Sequence, residues 1–202
     1  AGENDAELVG ILKKSFEKRG VTFYLSAKVT EVTANAVKYE KDGVVSEVVC
    51  DKVLLSIGRR ANTKDIGLES IHVLTERGAI VTDAHMKTNQ PEVYAAGDVN
   101  GKSMLAHTAY REAEVAVNIM LGKKDVMRYE AVPGVLYTNP ELSAVGETEA
   151  SAKAKGLDFS CVKIPMRFSG RYLAENEGGD GVMKLVVNNA TKQVLGAQLL
   201  SN

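Results

Sequence analysis

The sequence predicts two kinds of architecture in succession, an α/β region followed by an α+β region. Three observations carry this. Residues 53–58, VLLSIG, form an apolar run that suits a strand buried on both faces and ending in glycine. Residues 93–98, VYAAGD, form another apolar run that stops at Gly97-Asp98, with a helical pattern beginning near Met104. Beyond a polar connector at 123–130, one strand, one short helix and three further strands follow in order, the mark of an antiparallel α+β unit.

Residues 5–19 place Leu8, Ile11, Leu12 and Phe16 at helical spacing, with Asp5 positioned to cap and Gly20 to terminate. After Gly20 the period changes. VTFYL, KVTEV, AVKYE and VVSEVVC are short and β-branched, and Lys41-Asp42-Gly43 signals a hairpin. Residues 59–87 read as loop with a short strand at Ala79–Thr82, and a helix follows through Ala106, Ala109, Ala113, Val117 and Met120 to Gly122. In the last third, VLYT is a strand, Asn139-Pro140 a turn, and Glu149–Lys155 a helix capped by Thr148. DFSCVKI, VMKLVVN and QVLGAQLL complete the unit, with Gly178-Gly179-Asp180-Gly181 as a loop between strands.

Composition narrows the function. The 202 residues suit one large or two small domains and carry a net charge of −1, which gives no basis for nucleic-acid or anionic-membrane binding. No run approaches the ~18–20 apolar residues of a spanning helix, and AGENDAEL is too polar for a secretory signal. Cys50 and Cys161 are too few for a disulfide scaffold and read as reduced, buried thiols of a cytoplasmic protein. His72, His85 and His107 show no metal-ligand spacing, and no nucleophilic triad or GxGxxG occurs.

Two stretches could hold a ligand. At the end of VYAAGD, Gly97 would allow close backbone approach and Asp98 could accept from a ligand hydroxyl, while the free N–H groups of the next helix favour negative charge. The alternative is an ordinary strand–turn–helix with Asp98 as a cap. Arg59 and Arg60 after Gly58 could meet a phosphate or carboxylate, or could be a solvated pair. His107 is the one histidine in a suggestive place, at a helix start, where a structural role is the commoner one.

The ordered set VLLSIGRRANT, GLES, TNQPEVYAAGDVNGKSMLAHTAYREAE and VLYTNPELSAVGETEASAKAKG resembles the flavin-dependent pyridine nucleotide–disulfide oxidoreductases over essentially the whole chain. Within that family, MLAH at Met104–His107 resembles the dihydrolipoamide dehydrogenase branch rather than the glutathione or mercuric reductases. The resemblance implies a partial FAD/NAD(P)-binding domain followed by part of an α+β interface domain. Residues 1–60 would be the second half of an NAD-binding domain, 61–128 the last segment of an FAD-binding domain, and 129–202 the start of the interface domain that builds a homodimer. It implies that Asp98 binds the ribityl chain of FAD, that Met104, Leu105, Ala106 and His107 approach the flavin pyrimidine, and that Val29 and Gly58 line the NAD site.

Several parts of the family pattern are missing from the 202 residues: the FAD glycine fingerprint, a Cys-x4-Cys redox pair, the NAD glycine fingerprint and a His-Glu acid/base pair. The expectation is a segment of an enzyme about twice as long. The whole enzyme would pass electrons from the lipoyl domain of a 2-oxo acid dehydrogenase-type complex to NAD+, while this chain alone would have no turnover, little FAD and a tendency to oligomerise through uncovered apolar faces. The alternatives are a transhydrogenase or NADH oxidase of the same family, and a stand-alone oligomerisation module.

Overall fold

The computed structural model describes residues 4–176 and 181–201 of the chain. Lys13–Gly58 form one unit, and Ala1–Leu12 with Arg59–Asn202 form another. Gly178, Gly179 and Asp180 of the expected loop lie outside the described residues.

The first helix, α1, is Ala6–Lys18, and its start is fixed as its sequence predicts. One carboxylate oxygen of Asp5 accepts from the backbone N–H groups of Glu7 at 3.0 Å and Leu8 at 3.3 Å, satisfying donors that a helix N-terminus leaves free. Leu8 and Leu12 are buried, and Gly20 ends the helical stretch at φ +87°.

In the Lys13–Gly58 unit, β1 (Lys28–Val32), β2 (Ala36–Lys41) and β3 (Val44–Val49) form an antiparallel sheet in chain order. Asp42 and Gly43, at φ +51° and +78°, make the tight turn between β2 and β3, where the left-handed conformation matches the strand twist. The sheet covers little: Val29, Val45 and Val49 are all exposed. Two expected strands are absent. VTFYL and VLLSIG join no ladder among the described residues, and Leu54 and Ile57 are 92% and 86% exposed. A strand of this type needs a neighbour for its backbone groups, and neither segment pairs with a described strand.

In the other unit, β4 (Thr75–Glu76) and β5 (Ala79–Ile80) form a minimal hairpin. The expected strand at 93–96 reduces to one bridge, Lys87 with Tyr94, plus a bond from the Ala95 N–H to the Met86 carbonyl at 3.1 Å. The helix α2 spans Ala106–Met120. Its phase differs from the apolar stripe read along the sequence. Ala106, Ala113, Val117 and Met120 are exposed, and the buried face is Thr108, Glu112, Val115 and Ala116. Val115 and Ala116 pack with Met86 and Met127 beneath Tyr94, Ile119, Tyr129 and Val132.

From Gly134 onward an antiparallel sheet assembles from β6 (Gly134–Leu136), β7 (Glu141–Gly146), β8 (Phe159–Pro165), β9 (Val182–Asn188) and β10 (Val194–Ser201), in the order β6-β7-β10-β9-β8. The helices α3 (Glu149–Ala154) and α4 (Gly170–Glu175) accompany it. Two elements, β7 and α4, go beyond the predicted ones. ELSAVG is short and broken by serine and glycine, so its strand character comes from pairing between β6 and β10 rather than from local preference. Thr148 caps α3 as expected, in a reciprocal box with Ser151.

Alternate residues of β9 and β10 are buried, with Leu200 opposite Leu142 on β7. Lys184 on β9 is only 4% exposed and reaches Asp5 Oδ2 at 2.8 Å and Glu149 Oε2 at 2.6 Å. Burial draws its pKa down, but the Asp5 and Glu149 carboxylates outweigh this and hold the ammonium above the usual lysine range. Neither cysteine is a buried thiol: Cys50 is half-buried and Cys161 exposed on the edge strand β8, and both are free. Among the described residues no helix is long and apolar enough to cross a membrane.

Candidate functional site

The turn that follows Tyr94-Ala95-Ala96 is built around glycine. Gly97 has φ +83° and ψ −160°, and a Cβ there would stand 3.4 Å from the Ala109 Cβ on α2. The residue therefore supplies both an unusual conformation and close passage beside the helix. Asp98 begins a 3-10 turn through Asn100, and Gly101 N–H closes it on the Asp98 carbonyl at 3.1 Å. The Asp98 side chain is exposed and makes no hydrogen bond among the described residues, so it is not spent as a cap.

The anchor of this turn is Glu112, a residue the sequence reading passed over. It is fully buried on α2, where one carboxylate oxygen accepts from Gly97 N–H at 2.5 Å and the other from the Tyr129 hydroxyl at 2.6 Å. Charge-assisted bonds of this kind are stronger than neutral ones, and a buried carboxylate is tolerated only when so satisfied. Burial and the adjacent Glu112 push the Tyr129 phenol above its ordinary range, so it remains a donor. The signal in the sequence was the glutamate four residues after Thr108 and three before Val115, on the face that proves to be internal.

The start of α2 lies six to eight residues after Asp98 in the chain. Leu105 precedes the helix in an extended conformation and supplies no side-chain cap, leaving the first backbone N–H groups open to a ligand. Met104 is half-buried, while Leu105, Ala106 and His107 are exposed. His107 Nε2 is bound to the Pro133 carbonyl at 2.7 Å, so its ring ties the helix start to the beginning of the last region. What it can offer a ligand is its main chain. The far side of α2 is held by Arg111, whose guanidinium pairs with Asp125 alongside a 2.8 Å bond from Asn118. Those two partners, Arg111 first, hold the Asp125 carboxyl well below the usual carboxylate range.

The two residues expected to line the NAD site, Val29 and Gly58, belong to the Lys13–Gly58 unit. Val29 is on β1 opposite Tyr39, beside a bulge, and Gly58 at φ +114° closes the 53–58 segment. No hydrogen bond or ring contact among the described residues joins them.

Residues 3–113 match the pyridine nucleotide-disulphide oxidoreductase family and residues 132–202 match its dimerisation domain, and the chain belongs to that family. Among curated relatives, it is 37% identical over 200 residues to a dihydrolipoyl dehydrogenase of Chlamydia muridarum, covering 98% of this chain and 42% of the relative. It is 40% identical over 164 residues to a dihydrolipoyl dehydrogenase of Bacillus subtilis, covering 81% of this chain and 35% of that one. Among solved structures, LpdA from Mycobacterium tuberculosis superimposes with a TM-score of 0.86 at 28% identity, over 98% of this chain and 43% of that one. An HOCl-induced flavoprotein disulfide reductase from Escherichia coli gives 0.86 at 27%, over 99% and 46%. The chain thus spans less than half the length of these relatives.

Proposed function

We propose that this chain is the flavin-facing and subunit-pairing portion of a dihydrolipoyl dehydrogenase. The observation that carries the reading is the Gly97-Asp98 turn, locked by Glu112 and set before the uncapped start of α2. Those residues suit a flavin dinucleotide. Asp98 presents a carboxylate to a sugar-like hydroxyl chain, and the main chain of Met104, Leu105, Ala106 and His107 presents donors to the electron-rich end of a ring. Bound FAD would supply the two-electron transfer between a dithiol and NAD+. Val29 and Gly58 would border the nicotinamide cofactor, with 1–60 as NAD-binding, 61–128 as FAD-binding and 129–202 as the pairing region of a homodimer. The electron donor would be the lipoyl domain of a 2-oxo acid dehydrogenase-type complex.

The test is a chimera in which this chain replaces the matching part of the Chlamydia muridarum relative. It should purify yellow and reduce NAD+ with dihydrolipoamide. Asp98→Ala should weaken flavin retention by roughly 10–100-fold, the loss of one or two charge-assisted hydrogen bonds. A folded chimera that holds flavin but turns over another disulfide and not dihydrolipoamide would leave the family and remove the substrate. The chain by itself, without a redox cysteine pair, should show no lipoamide-dependent turnover.

A further inference from the structure

Tyr129 lies in the connector between residues 113 and 132, a stretch that neither family match covers. It opens a 3-10 turn, Tyr129–Ala131, that leads through Val132 and Pro133 into β6. Its side chain nonetheless serves the Gly97-Asp98 turn. The hydroxyl donates to Glu112 Oε1 at 2.6 Å, and the other oxygen of that carboxylate accepts from Gly97 N–H at 2.5 Å. One fully buried carboxylate thus joins the connector to the turn. The Tyr129 ring packs against the core of Met86, Val115, Ala116 and Met127, and Lys102 Nζ stands 5.5 Å from its centroid.

A second tether leaves the same segment. His107 Nε2 stands 2.7 Å from the Pro133 carbonyl, which can only accept, so the ring donates there and holds the start of α2. Two separate bonds therefore run from residues 129–133 toward the turn and toward the open helix start. The other end of the segment is firmly seated. β6 pairs with β7 and β7 with β10, where Leu142 and Leu200 are opposed and fully buried. Burial and the adjacent Glu112 hold the Tyr129 phenol above its ordinary range, so the hydroxyl stays a donor around neutral pH.

We propose that Tyr129 is a positioning residue, which acts through Glu112 to fix the Gly97-Asp98 turn from the side of residues 132–202. The geometry that the turn offers to a flavin then depends on how the pairing region is seated. That consequence rests on the flavin reading of the turn, whereas the positioning rests on the protein's own bonds. Gly97, at φ +83° and ψ −160°, occupies backbone space essentially reserved for glycine, and a glycine moves freely unless its N–H is engaged. A charge-assisted bond engages it, and the bond holds its direction only while a second donor fixes the carboxylate. Without the Tyr129 hydroxyl the Glu112 carboxylate can rotate, and the turn gains freedom with it.

The turn and the flavin can be read separately. In the intact chain, the Gly97 amide reports on the turn through its proton shift and its hydrogen exchange. Tyr129→Phe keeps the ring in place, yet it should move that proton upfield and speed its exchange roughly tenfold, with the amides of β9 and β10 unchanged. Glu112→Gln can still accept from Gly97 N–H and donate to the Tyr129 oxygen, so it should keep most of the protection that Glu112→Met loses. Adding Tyr129→Phe to Glu112→Met should change Gly97 no further, because both act along one path. In the chimera with the Chlamydia muridarum relative, Tyr129→Phe should weaken flavin retention roughly tenfold, the scale of one charge-assisted bond. An unmoved Gly97 amide in Tyr129→Phe overturns the positioning role. An additive double variant, or protection lost equally over β9 and β10, overturns it too, as does a yellow chimera that retains flavin equally well with Tyr129→Phe. A colourless chimera would sink the flavin reading, and the Gly97 amide would still decide the role of Tyr129.

Discussion

The two main antiparallel sheets of this molecule are built from similar residues and have different energetics. The sheet of β1, β2 and β3 is rich in valine, yet β1 is exposed at every position. The sheet of β6, β7, β10, β9 and β8 buries alternate residues of its central strands, with Val186, Leu142 and Leu200 fully out of solvent. β-Branched residues favour strands, but they stabilise a sheet only when one face meets a second layer. The second sheet also fastens α1 to itself, through Lys184, Asp5 and Glu149, across 179 residues of sequence. In the first sheet, the comparable pair is Lys38 with Glu31, exposed on both sides.

The sharpest test of this contrast is removal of the two lysines. Lys184→Ala leaves the buried Asp5 carboxylate without its counter-charge and should cost about 3–5 kcal/mol in urea unfolding. Lys38→Ala should leave the midpoint within error. Next in size, Leu200→Ala should cost about 2–5 kcal/mol through the cavity it opens, against less than about 0.5 kcal/mol for Val45→Ala on the exposed β3. Equal effects at the two positions would mean that β3 is covered in solution. Hydrogen exchange should rank the sheets in the same way, with β9 and β10 amides protected well beyond those of β1 and β3.

The smallest expected effect is on pH dependence. Lys155 first, and then Ser151, hold the Glu147 carboxyl below its ordinary range in the five-stranded region. A carboxyl lowered in the folded state adds stability at pH above its unfolded value, and this is lost as pH falls through the folded one. Thermal midpoints should therefore decline below about pH 4.5, and Glu147→Gln should flatten that limb. In the three-stranded sheet the sign is opposite. The hydrogen bond and charge of Glu31 raise Lys38, so its contribution is present at neutral pH and lost as pH rises beyond the ordinary lysine value.

Residues whose role rests on local preference were legible. Asp5 and Thr148 cap helices, Asp42-Gly43 turns a hairpin, and Gly20 ends a helix, because each depends on neighbours within a few positions. Asp98 was legible too, as a glycine-acid turn before a helix. Glu112 was not, since the need to bury it arises only when α2 lies beside Gly97 and Tyr129 arrives from seventeen residues further along. The same cause misled the phase of α2. Apolar spacing marked Val117 and Met120, but the structure turns them outward and buries Thr108 and Glu112 instead.

By itself the sequence determined most helices, several caps and turns, and the family whose motifs it carries in order. Tertiary structure alone decided which apolar runs become strands. VLLSIG has the composition of a buried strand but pairs with no described strand, whereas the weaker ELSAVG is held between two neighbours. Strand pairing is a contract between distant segments, and hydrogen bonds across a ladder form only when both sides are present. Tertiary structure also gathered Gly97, Glu112 and Tyr129 at one point and set His107 against Pro133. No spacing rule links those positions, because their proximity is set by how the turn, the helix and the connector fold against each other.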